Sequence, residues 1–182
     1  QYVIDESIRV CDPYSTKILD PWNDGYITAE TYPDLKPYPA GFAENLVSVF
    51  QTRPPHYAWK NNSFTPPVKN NMIIYELLVR DFVAAHDFNT IRDTLSYLKR
   101  LGVNAIEFMP VTEFDGNLSW GYNPAMYFAV DKYYGPSDTF KELIDSCHSK
   151  GIAVIMDMVL NHAYGNNPLV RMYFNSSTSK PA

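Results

Sequence analysis

Asp157, Asn161 and His162 lie within six residues, in and just past the apolar run Ile152–Leu160. Side chains alternate faces along an extended strand, so Asp157, Val159 and Asn161 share one side for as long as the strand persists. A carboxylate, an amide and an imidazole gathered there can grip hydroxyl groups, ligate a cation or orient a catalytic group. A strand-terminal Asp also commonly caps a neighbouring backbone, and Asn-His is ordinary turn chemistry. Upstream, Trp120 and Tyr122 offer flat rings within Ser119–Pro124 (SWGYNP). Such rings stack on apolar sugar faces and serve equally well as packed lid residues.

The elements that must position these residues start near residue 72. Met72–Val79 and Ile152–Leu160 are nearly continuous apolar runs, as expected of strands buried on both faces, and Val103–Met109 reads as a strand between them. Asn89–Leu101 places Ile91, Leu95, Leu98 and Leu101 on one helical stripe, with Asn89 or Thr90 as the N-cap and Gly102 as terminator. Ser137–Lys150 repeats the pattern with Phe140, Leu143, Ile144 and Cys147, Ser137 capping it and Gly151 ending it. Strand, helix, strand, helix, strand predicts two right-handed βαβ units on a parallel sheet. The helix-to-strand turns are short. The strand-to-helix loops, Arg80–Phe88 and above all Pro110–Pro136, are long, and in such folds the carboxyl ends of the strands carry the ligand site. Function is therefore expected in 110–136 and just after 160.

Residues 1–70 differ in kind. They hold nine of the 14 prolines and many aromatics, including Trp22, Tyr26, Tyr57 and Trp59. Tyr2–Cys11 reads as a strand and Leu46–Gln51 as a second short one, the rest as an ordered connector wrapped over a neighbouring domain.

Composition narrows the function classes. A net charge of −5 with 19% charged residues and no dense basic run argues against binding a nucleic-acid backbone. No apolar stretch is long enough for a membrane span, and none reads as a signal peptide. Cys11 and Cys147 form neither a disulfide framework nor a zinc motif, and Cys147 falls on a helix's apolar face. The compartment stays undetermined. Beginning at Gln1 rather than a methionine, the chain reads as processed or as cut from something longer.

Three segments resemble the α-amylase family (glycoside hydrolase family 13-like). Asp157–His162 (DMVLNH) is similar to its strand-three motif, Ser119–Pro124 to its Trp-Gly-Tyr-x-Pro element after strand two, and Ile74–Phe82 (IYELLVRDF) to strand one of its branching, debranching and neopullulanase-like members. Order and spacing agree over about residues 70–174. The resemblance implies an α/β fold, a partial (β/α)8 TIM barrel of three strands and two helices. A proline-rich extension from a β-sandwich domain would precede it: residues 1–12 its last strand, 13–70 the connector, 71–182 the barrel, truncated after strand three. It also implies that Tyr122 stacks on the sugar at the cleavage subsite, that His162 bonds hydroxyls near C6, that Trp120 contacts substrate or shapes the loop with Asn123, and that Asp157 orders an arginine on a fourth strand. Asn161 matches a calcium ligand of many α-amylases; no other cofactor is implied.

Retaining hydrolysis needs two carboxyl groups about 5–5.5 Å apart. In the family these come from later strands, and Glu76, Asp81, Glu107, Glu113 and Asp115 match no catalytic position, with Glu107 and Glu113 better read as hydrogen-bonding or packing groups. The residues after Phe174 read as supplying no further strand. The expectation is a chain inert by itself within an enzyme acting on starch- or glycogen-like α-glucans. The alternative is a non-catalytic amylase-like barrel that binds glucan or scaffolds. Three strands with open edges would expose parts of Ile73, Ile106, Val154 and Ile155 and favour dimerisation through those edges.

Overall fold

The structure, a computed structural model, describes residues 1–181; Ala182, the last residue of the expected barrel segment, lies outside the described residues. The chain opens with β1 (Tyr2–Ile4) and β2 (Ile8–Val10), then β3 (Ile18–Leu19) and β4 (Val47–Ser48). β5 (Ile74–Leu77) leads into one helical turn, α1 (Val79–Phe82), and then α2 (Phe88–Arg100). β6 (Ala105–Phe108), α3 (Ser137–Ser149) and β7 (Ala153–Met156) follow, and α4 (Pro168–Tyr173), β8 (Phe174–Asn175) and β9 (Lys180–Pro181) close the chain.

β5, β6 and β7 form one parallel sheet in that order. In register, Leu77, Phe108 and Met156 align, as do Tyr75, Ile106 and Val154. Ile91, Leu95 and Leu98 of α2 and Phe140, Leu143 and Cys147 of α3 pack with Leu77, Ile106 and Phe108 into a single core. Each such buried side chain stabilises the fold by about 1.5–3 kcal/mol relative to exposure. Gly102 and Gly151 follow the two helices at positive φ and turn the chain back into the next strand. The opposite face of the sheet carries Ile74 and Glu76, both exposed, with Glu107 beside Glu76 in register.

The connector is fastened to the outer helices. Asp145 of α3 accepts the Tyr57 hydroxyl at 2.8 Å and the backbone N–H groups of Lys60 and Asn61, and Phe64 stacks on His148 with ring centroids 4.1 Å apart. A second small core joins Cys11, Ile18 and Leu46 to Ala125, Met126 and Ala129 of the long loop. Both cysteines are free and buried, and burial raises the thiol of Cys147 to about 12.

Several expectations are corrected. Tyr2–Cys11 is not one strand: Asp5 and Glu6 take positive φ, Ser7 N–H bonds the Ile4 carbonyl, and the segment folds into a hairpin. The cap of α2 is Asp87, whose carboxylate accepts the Thr90 N–H at 2.7 Å, so the helix starts before Asn89. Ser137 is the first residue of α3 and not its cap; Pro136 holds that position. The third barrel strand stops at Met156, with the Asp157 N–H alone continuing the ladder to the Phe108 carbonyl at 3.0 Å. Ile73 is half exposed as expected, but Ile106 is fully buried because the helices cover its side of the sheet. Beyond Phe174 the chain does form a strand pair, the two-residue antiparallel ladder of β8 and β9, separate from the parallel sheet.

Candidate functional site

The long loop after β6 is a folded structure. Thr112 bridges Val130 and Phe114 bridges Pro124, so the segment runs out and back as an irregular hairpin. At its turn Gly121 has φ +92° and lies against Pro110: an added Cβ would sit 2.5 Å from the Pro110 carbonyl oxygen. Only glycine fits both that backbone conformation and that approach. Ser119 Oγ accepts the Gly121 N–H at 3.0 Å and bonds the Asn123 side chain, while Asn123 Nδ2 donates to the Asp115 carbonyl at 2.8 Å. Asn123 therefore shapes the loop. These contacts aim Tyr122 at the carboxyl end of the sheet.

There the expected residues meet. The Tyr122 hydroxyl donates to Asp157 Oδ2 at 2.5 Å, and His162 Nε2 lies 2.7 Å from the Tyr122 carbonyl oxygen. The Tyr127 hydroxyl donates to the His162 carbonyl at 2.8 Å, and the Tyr164 N–H to the Pro124 carbonyl, tying the segment after β7 to the loop. A carbonyl only accepts, so Nε2 of His162 carries a hydrogen. Its Nδ1 is 3.1 Å from the Asn161 side-chain oxygen as placed. With a neutral ring, Nδ1 is an acceptor that requires the Asn161 amide turned with its NH2 inward; with the oxygen inward, the ring is the doubly protonated cation. The Asp157 hydrogen bond raises the Tyr122 hydroxyl to about 12, with burial and the charges of Asp157, Glu76 and Glu107 acting the same way. Tyr122, Asn161 and His162 are exposed, and Trp120 is 62% exposed. The rim is formed and open.

Asp157 finds its partner in Tyr122 within this chain. Asn161 contributes one amide oxygen, already beside His162. Calcium requires six to eight oxygens. Among the described residues no three His, Cys, Asp or Glu side chains are grouped so as to hold a metal ion.

Behind the loop lies a cluster that sequence reasoning missed. Lys132 is buried, with Nζ bonded to Glu113 Oε1 and 3.2 Å from Asp24 Oδ1. Asp131, also buried, accepts the N–H groups of Phe114 and Tyr133. Burial pushes Asp131 well above the usual carboxylate range, helped by the charge of Glu113; burial likewise raises Glu113 and Asp24, with Lys132 opposing. Burial alone would lower Lys132, but Glu113, Asp24 and Asp131 outweigh it and hold the ammonium above its ordinary value. The cluster fixes the loop to the connector. Lys132 and Asp24 lie far apart in the chain, and no local pattern marks them as partners.

A parallel sheet flanked by helices, with a polar and aromatic rim at its strand ends, defines part of a βα-barrel protein. Residues 38–181 match the family described as "Alpha amylase, catalytic domain", a match that takes in the second half of the connector. The chain belongs to the alpha-amylase catalytic-domain family. It is 35% identical over 130 residues to a malto-oligosyltrehalose trehalohydrolase of Saccharolobus solfataricus, covering 70% of this chain and 23% of the relative. It is 37% identical over 111 residues to the 1,4-alpha-glucan branching enzyme GlgB of Picrophilus torridus, covering 58% of this chain and 16% of that one. A crystal structure of a putative alpha amylase from Salmonella typhimurium superposes with a TM-score of 0.72 at 28% identity, over 96% of this chain and 26% of that one. The chain thus spans about a quarter or less of the length of these relatives.

Proposed function

We propose that the chain is the amino-terminal part of an α-glucan-active glycoside hydrolase or transglycosylase working by a retaining mechanism on starch- or glycogen-like polymers. The contact between His162 and Tyr122 supports this reading most directly. Two family motifs far apart in sequence converge at the carboxyl end of the sheet, 2.7 Å apart, in a chain of the alpha-amylase family. The relatives' names support the substrate class.

In this reading Tyr122 presents its ring to a pyranose, oriented by the hydrogen bond to Asp157, and Trp120 supplies a second exposed face. His162 gives its Nε2 hydrogen to a sugar hydroxyl, which replaces the Tyr122 carbonyl as acceptor. Three carboxylates of this chain are engaged elsewhere: Glu113 with Lys132, Asp81 with Arg80, and Asp115 with the Asn166 amide at 2.6 Å. The chain by itself is then inert, and the attacking and protonating carboxyl groups come from further strands of a longer protein. Residues 1–12 form the last strands of a β-sandwich and 13–70 connect it to the barrel. β5 and β7 each have an unpaired edge among the described residues, and alone the chain associates through those edges.

The test is glucan release by the longer polypeptide carrying this chain, assayed on starch, glycogen and pullulan. His162→Ala should lower turnover by orders of magnitude with little change in unfolding midpoint. Unaltered rates would remove His162 from the site, and no release from any of the three would favour a glucan-binding scaffold.

A further inference from the structure

We propose a second saccharide-binding site, in the cleft between the connector turn at residues 23–26 and the tip of the long loop at 116–118; the proposal rests on the α-glucan reading above. The cleft encloses about 600 Å3 and is lined by Asn23, Tyr26, Gly116, Asn117, Leu118 and Tyr133. Its chemistry selects the ligand. None of those six residues carries a charge. Four other clefts of 230 to 510 Å3 each include charged groups, such as Asp93 and Arg100, Lys60 and Glu142, Arg9 and Lys36, or Asp20 and Asp24. A neutral lining on a chain of net charge −5 gives a phosphate, nucleotide or charged peptide no counter-charge and suits an uncharged polyol.

The polar groups fit hydroxyls. Asn117 Nδ2 donates to the Asn23 carbonyl at 3.0 Å and Asn23 Nδ2 donates to Asp20; among the described residues both side-chain amide oxygens are free as acceptors. Among the described residues the hydroxyls of Tyr26 and Tyr133 have no protein partner either. Tyr26 is 75% exposed and Leu118 is 77% exposed, so both offer apolar faces on which a sugar ring can stack.

The walls are set before any ligand arrives. Tyr133 stacks on His86 at 5.7 Å, His86 Nδ1 donates to the Arg80 carbonyl at 2.7 Å, and Arg80 Nη1 donates to the Ser119 carbonyl at 3.2 Å. Asp24, between two lining residues, is paired to the buried Lys132. Binding therefore orders little that is not already ordered.

The cleft also lies close to the rim along the chain. Leu118 stands two residues before Trp120 and four before Tyr122, a separation of at most about 14 Å even when fully extended. A linear gluco-oligosaccharide of several units reaches both, so the cleft favours long chains over short ones.

The experiment is titration of the 182-residue chain with maltoheptaose and, separately, maltose, followed by two-dimensional NMR. The side-chain amide signals of Asn23 and Asn117 report the cleft, and the Trp120 indole N–H reports the rim. The expected result is saturable shifts of both sets with maltoheptaose. Tyr26→Ala, or Leu118→Ser as a second surface variant, should abolish the Asn23 and Asn117 shifts, weaken maltoheptaose several-fold and leave the maltose response at Trp120 intact. Shifts at Trp120 without shifts at Asn23 and Asn117 would overturn the cleft and leave the α-glucan reading standing. Silence at both would overturn both. Asn23 and Asn117 shifts that persist in both variants would show that the cleft's apolar faces bind nothing.

Discussion

The loop between β6 and α3 carries polar residues on two sides, and the two sides are built on opposite rules. Toward the connector, Glu113, Asp131 and Lys132 are buried, Asp24 is half-buried, and all four are partnered by one another or by backbone. Toward the strand ends, Tyr122, Asn161 and His162 are exposed and hold one another through single hydrogen bonds that a ligand can replace. A buried charge is tolerable only when paired, and once paired it is immobile. An exposed group costs little to re-partner. The difference separates what holds the loop from what the loop presents. Residue type alone cannot make that distinction, since Glu113 and Asp157 are both carboxylates beyond the last residue of a strand.

Breaking the buried side should cost most. Lys132→Met leaves three carboxylates without their cation and is expected to lower stability by about 3–5 kcal/mol in urea unfolding. A loss under 1 kcal/mol would show that the cluster does not hold the loop. Gly121→Ala comes next, at about 2 kcal/mol or more, because the methyl meets Pro110 in a left-handed backbone. Gly116→Ala is its control: φ is +80° but nothing lies within 4 Å, so the backbone cost alone remains, about 1–2 kcal/mol. Equal losses would discount the Pro110 contact.

The pH dependence sharpens the contrast further. The folded values of Asp131, Glu113 and Asp24 are raised above those of the unfolded chain. Their contribution is fully present below the ordinary carboxylate range and is lost as pH rises through the folded values. The stability difference between wild type and Asp131→Asn should therefore shrink as pH is raised from about 4 toward neutrality. A difference that grows with pH would reverse the assignment. On the exposed side, Tyr122→Phe removes one hydrogen bond to Asp157 and should cost about 1 kcal/mol. The smallest effect belongs to Arg92→Ala, which breaks a half-exposed pair with Glu142 worth under about 1 kcal/mol.

The sequence was most legible where burial is repetitive. Three of the four residues of the stripe Ile91, Leu95, Leu98 and Leu101 are buried, Leu101 being the exposed C-cap, and α2, α3 and the three parallel strands stand where periodicity puts them. Legibility failed at ends. Asp87 caps α2 from outside the apolar pattern, and the third strand ends at Met156 because beyond Asp157 the ladder to β6 stops, although the residues stay apolar to Leu160. It failed again where a turn lacks its usual residues: Asp5 and Glu6 take positive φ without a glycine. At the rim, motif resemblance placed Tyr122, His162 and Asp157 together. The Tyr127 hydroxyl on the His162 carbonyl and the Lys132 cluster were invisible, since each joins segments with no local sign of the other.

The most direct test of the central claim, that the open rim is where saccharide is held, is calorimetric titration of wild type and Tyr122→Ala with maltoheptaose at matched unfolding midpoints. Saturable binding to wild type and at least tenfold weaker binding to the variant are expected. Equal affinity for the two proteins, or no heat of binding to either, would contradict the claim.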